Sequence, residues 1–148
     1  MLFISHLFHN TALMAAALSW LIAQTIKTIL TLIQTRSFVP ERLFGAGGMP
    51  SAHSAMVCSL VMCIMHMRGI DSPEFAIAVC FAAVVIYDAM GVRRAAGEQA
   101  KIINRMVDVM EKDGSEISDK ELKEYLGHTP IEVLAGILLG FIVSLALI

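Results

Sequence analysis

Four apolar blocks, at about residues 11–33, 53–67, 75–87 and 131–148, set the terms on which this 148-residue chain can fold. About 20 apolar residues cross a bilayer as a helix, because backbone N–H and C=O groups in lipid must be paired within the segment itself. The first and last blocks come close to that length, and the middle two are shorter. Hydrophobic residues make up 57% of the chain and charged residues 16%, and mean hydropathy is +0.72. A soluble domain is nearer about half apolar and about a quarter charged. The expected fold is therefore all-α: one integral membrane domain over residues 1–148, with spans at about 11–34, 51–69, 73–91 and 129–148. The competing reading is an apolar soluble bundle, for which the two short blocks would serve as core helices.

Local signals place the ends. Asn10 or Thr11 caps the first helix, and Pro40 with three glycines makes residues 35–49 a loop. Residues 69–73 form a tight turn into the third span. Residues 92–127 then leave the membrane as a pair of helices. In the first of these, Ile103, Met106, Val107 and Met110 recur at helical spacing, so the helix is amphipathic and lies on the membrane or against the bundle. Residues 112–115 break it, and Ser118-Asp-Lys-Glu121 is a capping box that opens a second short helix, closed by Gly127. Thr129-Pro-Ile-Glu132 is another capping box, with proline at its first helical position, and it starts the last span.

Charge sets the orientation. Of the 11 lysines and arginines, all but Lys27 and Arg68 fall in or beside the loops at 35–50 and 92–128, on one side. The positive-inside rule makes that side cytoplasmic, with both termini outside. No basic stretch precedes the first apolar block and no small-residue cleavage site follows it, so it is read as a span and not a leader. A net charge of −2 offers no footprint for nucleic acid. Cys58, Cys63 and Cys80 lack metal or redox spacing and are read as buried thiols. No cofactor or metal is expected.

Three polar motifs interrupt the apolar blocks, all on the basic side: GGMPSAHSA at 47–55, DAMGVRR at 88–94 and GHTPIE at 127–132. A helix start presents backbone N–H groups to an anion, which makes Ser51 a phosphate-binding candidate and puts His53 on the first turn as a proton donor. In the plainer reading Ser51 caps the helix and His53 is a surface histidine. His128 precedes a capped helix, with Glu132 placed to hold its ring, as a nucleophilic imidazole requires. Against this, Glu132 is already the capping partner of Thr129. Arg93 and Arg94 suit bidentate phosphate binding, or anchor the chain with Asp88 as their ion-pair partner. Lys27 reaches toward the same side or snorkels to the headgroups, and Gln24 one turn earlier supports a polar stripe. Gly136 and Gly140 form a GxxxG pair, expected to pack helices closely or to join copies as a homo-oligomer.

The chain resembles a small bacterial family of divergent relatives of type-2 phosphatidic acid phosphatases and vanadium-dependent haloperoxidases. The likeness runs from AQTIK (23–27) to GHTPIEVLAG (127–136) and is carried above all by GGMPSAHSA and YDAMGVRRAAGEQA (87–100). In the wider superfamily a PSGH histidine is the acid, and the histidine of an HxxxD motif forms a phosphohistidine without metal. PSAH at 50–53 matches with alanine for glycine, and His128-Thr-Pro-Ile-Glu132 matches with glutamate for aspartate. The superfamily's Ser-Arg before the last histidine is absent, and its first basic motif is represented only by Lys27 and Arg36.

The resemblance implies a membrane-embedded, metal-independent hydrolase, a phosphatase acting on a lipid phosphate or pyrophosphate. Its roles would be His128 as nucleophile, Glu132 as orienting group and His53 as acid. Lys27, Arg93, Arg94 and Ser51 would bind phosphate, supported by Asp88 and Gln24. The alternative is a non-catalytic membrane protein that binds or translocates a phosphorylated lipid. A structural bundle whose motifs are only caps and anchors is the third reading.

Overall fold

In a computed structural model the described residues, 2–37, 48–112 and 127–148, form six α-helices. They are α1 (Leu2–Phe8), α2 (Thr11–Thr35), α3 (Ala52–Arg68), α4 (Pro73–Met90), α5 (Val92–Lys112) and α6 (Pro130–Leu147). The caps signalled by the sequence are in place, the side chains of Asn10, Ser51 and Thr129 accepting first-turn amides of α2, α3 and α6, and Ser72 does the same for α4. The short α1 has no counterpart in the hydropathy reading. The helix expected after residue 118 falls outside the described residues.

Three helices, α2, α4 and α6, are long and apolar enough to cross a membrane. The 17 residues of α3 reach roughly 25 Å at 1.5 Å per residue, about one turn short of a bilayer core. Yet α3 is the central helix, packed against α2, α4 and α6.

The packing is inverted relative to a soluble bundle. Alanine and serine fill the interior: Ala15, Ala23, Ala55, Ser19, Ser54 and Ser59 are fully buried. The large side chains face out, with Ile77 69% exposed, Val84 68% and Ile131 72%. Water would drive those residues inward. In lipid no such drive exists between helices, and small residues let backbones approach. The soluble-bundle reading fails on this point, and the fold is an all-α membrane bundle.

The Gly136–Gly140 pair shows how close the approach is. A Cβ on Gly136 would overlap the Ser51 carbonyl oxygen and lie 3.0 Å from Ser54 Cβ; one on Gly140 would overlap the Ala55 carbonyl oxygen and lie 3.0 Å from the Ser59 amide. The pair is therefore spent on α3 of the same chain. Of the two expectations for the pair, close helix packing is the one seen here, within the monomer.

The amphipathic α5 follows α4 after Gly91, and among the described residues it packs on α4. Of its apolar stripe, Ile103 and Met106 are exposed and Val107 is half-buried, and the Met110 side chain lies outside the described residues. Cys63 is buried, whereas Cys58 is half-buried and Cys80 exposed, so the expectation of three buried thiols holds only for Cys63.

A histidine pair where four helix ends meet

Three contacts draw distant parts of the chain to one end of the bundle. The Ser51 N–H donates to the Glu132 carbonyl (2.9 Å), tying the start of α3 to the first turn of α6. The His128 N–H donates to the Ala89 carbonyl (3.0 Å), tying the approach to α6 to the last turn of α4. The Lys27 stem of α2 lies along Gly48, where a Cβ would sit 3.4 Å from Lys27 Cγ. Gly48 has φ +82°, a left-handed conformation that suits glycine. All three polar motifs thus reach the same end, as the hydropathy reading expected.

His128 is 1% exposed and immediately precedes the Thr129 cap. One carboxylate oxygen does two jobs there. Glu132 Oε2 accepts the Thr129 N–H at 3.0 Å and stands 3.2 Å from His128 Nδ1. The capping and histidine-orienting roles therefore coexist. A carboxylate beside Nδ1 fixes the proton on that nitrogen, so the neutral ring carries its lone pair at Nε2.

His53, in the first turn of α3 and half-buried, faces His128 edge to face, with ring centroids 6.3 Å apart and planes at 61°. Lys27 is 2% exposed and Gln24 5%, one turn apart on the buried side of α2. The lysine does not snorkel; it is held inside the bundle. Asp88 is half-buried beside Ala89.

Ser51 is fully buried. Its N–H is taken by Glu132, and its hydroxyl oxygen accepts the Ser54 N–H (3.3 Å) and the Ser54 hydroxyl (3.0 Å). It caps α3 and ties it to α6, as the plainer reading had it. Arg93 and Arg94 stand in the first turn of α5, just after Ala89, and their side chains lie outside the described residues.

Residues 8–143 match the model of the divergent PAP2 family. The chain belongs to the divergent PAP2 family. A relative in Bacillus subtilis (strain 168), named "Uncharacterized membrane protein YuiD", is 38% identical, with 95% of this chain and 96% of the relative covered. No solved structure matches. As a divergent PAP2 family membrane protein, the chain carries PSAH and HTPIE on neighbouring helix starts, and their histidine rings face each other.

Three contributors escaped sequence reasoning. Two are main-chain carbonyls, of Ala89 and Glu132, and no residue type announces a carbonyl's partner. The third is the row Ser51, Ala55, Ser59 on α3, spaced by four like Gly136 and Gly140. That spacing is a signal for the partner of the glycine pair.

Proposed function

We propose that this protein is a phosphatase for a lipid phosphate or pyrophosphate, working through a phosphohistidine at His128. The observation that carries the reading is the orientation of His128 by Glu132, with a second imidazole 6.3 Å away. His128 Nε2 attacks phosphorus and the P–N bond forms as the P–O bond to the lipid breaks. His53 gives its proton to the departing oxygen. Water, deprotonated by the same His53, then cleaves the P–N bond and releases phosphate.

Glu132 holds the attacking tautomer and offsets charge on the ring once it is phosphorylated. The buried Lys27, with Arg93 and Arg94 at the start of α5, would balance the charge on the equatorial oxygens. Such stabilisation is most of phosphoryl-transfer catalysis. The first-turn amides of α3 add a positive helix end. No metal or cofactor enters this scheme, and the site would face the cytoplasm.

One observation favours a second reading, a protein that binds or moves a phosphorylated lipid without turnover: His128 is 1% exposed. Phosphate release from detergent-solubilised protein decides between them. In the phosphatase reading His128→Ala abolishes release, and His53→Ala lowers it by about 10²–10⁴-fold, the usual weight of a general acid. Equal release from wild type and His128→Ala removes the nucleophile. Vanadate binding with no release from any lipid phosphate supports the binding protein instead.

A further inference from the structure

α4 and α6 meet at the histidine end, where the His128 N–H reaches the Ala89 carbonyl, and both pack on α3. Away from that junction a groove of about 170 Å³ opens between them. It is lined by Cys58 and Met62 of α3, Val79 and Ala82 of α4, and Ile137 and Phe141 of α6. Ala82 is buried and Cys58 half-buried, forming the floor, while Val79 and Phe141 are 40% and 43% exposed at the rim. The groove therefore opens sideways, toward lipid.

Its depth follows from helix geometry. Cys58 lies five residues beyond His53, Ile137 five beyond Glu132, and Ala82 seven before Ala89. At 1.5 Å per residue the groove begins roughly 7–10 Å from the histidines and ends, at Val79 and Phe141, roughly 15 Å away. Among the described residues no charged side chain lines it.

We propose that this groove seats one hydrocarbon chain of the phosphate-bearing molecule, so the substrate is an amphiphile drawn sideways from the bilayer and not a water-soluble phosphate ester. The proposal rests on the phosphatase reading for what happens at the head group. Size and lining identify the occupant. A helix of about 10 Å diameter cannot enter. An apolar cavity of about 150 Å³ holds one benzene-sized hydrocarbon, so 170 Å³ accepts a stretch of a single chain. Continuity identifies its source: the same three helices carry the histidine pair at one end and the groove below it.

The test uses the full chain in phosphatidylcholine vesicles, irradiated with a dodecyl phosphate bearing a diazirine at its far end. Adducts are located by mass spectrometry. Expected are adducts on Met62, Val79 or Phe141. Ala82→Trp fills the floor, and Val79→Phe narrows the rim at a position where folding is not at stake. Each lowers the yield severalfold, because the added ring fills the space the chain would occupy and leaves the chain among the lipid tails. Vanadate affinity at the polar end stays within about twofold of wild type.

Adducts spread over outward residues such as Ile77 and Val84, or a yield indifferent to both variants, overturn the groove proposal. Turnover is read separately. Both variants raise KM for dodecyl phosphate about tenfold and leave that for phenyl phosphate unchanged. Groove adducts without phosphate release from either ester refute the phosphatase reading while the chain-seating groove stands.

Discussion

Replacing Gly136 by alanine puts one of the two close approaches of α6 to α3 under test. The added Cβ overlaps the Ser51 carbonyl oxygen and stands 3.0 Å from Ser54 Cβ and 3.2 Å from the Ser51 carbonyl carbon. Two of these neighbours are main-chain atoms and cannot rotate away, so α3 and α6 must separate. Overpacking costs about 1–3 kcal/mol, and a backbone clash belongs at the upper end. Alanine returns about 1 kcal/mol through helix propensity, which leaves a net loss of about 2 kcal/mol. At about 2–4 °C per kcal/mol for a chain of this size, Tm in detergent falls by roughly 4–8 °C. Trp20, packed on the Ala23–Ala52–Ala55 cluster, is a fluorescence reporter for that transition.

The same displacement reaches the site. It strains the Ser51-to-Glu132 hydrogen bond and moves His53, two residues on, relative to His128. A shift of about 1 Å costs roughly 10²-fold in rate. Gly140→Ala, one turn deeper against Ala55, should lose similar stability with a smaller loss of turnover. A Gly136→Ala protein at least as stable as wild type that instead changes oligomeric state would refute this reasoning. In that case the glycine face would pack between copies after all.

Other outcomes follow from the same geometry. Thr129→Ala removes the α6 cap and should lower stability by about 1 kcal/mol, read by denaturation in detergent, with some loss of turnover because the Thr129 N–H helps hold Glu132. Glu132→Gln keeps an acceptor for that N–H but removes the charge beside His128. Its kcat should fall by at least about 10²-fold with stability nearly unchanged, and an unaltered kcat would remove the orienting role. Lys27→Met keeps the buried stem and removes one charge. Vanadate affinity should fall by roughly 10–100-fold, the worth of one charge-assisted contact. Met49→Cys and Gly127→Cys should react with an impermeant thiol reagent from the same face of sealed vesicles. Labelling from opposite faces would dismantle the shared site.

Much of this was legible in the chain itself. Apolar block length marks the spans, since backbone groups in lipid leave the helix as the local solution. Asn10, Ser51, Ser72 and Thr129 mark helix starts because a side-chain oxygen and the first-turn amides are close in sequence. The His128–Glu132 pair is likewise a local i,i+4 relation, readable from spacing alone. What needed the tertiary structure were relations between segments far apart in the chain. Ser51 was legible as a cap, and only the tertiary structure shows its N–H on the Glu132 carbonyl. Gly136 and Gly140 fit a partner in another copy or in the same chain, and the proximity of α3 decided for the latter. His53 meets His128 because α3, too short to span comfortably, is wedged among three neighbours by small side chains. Sequence spacing governs contacts one helical turn away; those across the bundle are settled by how closely the backbones can approach.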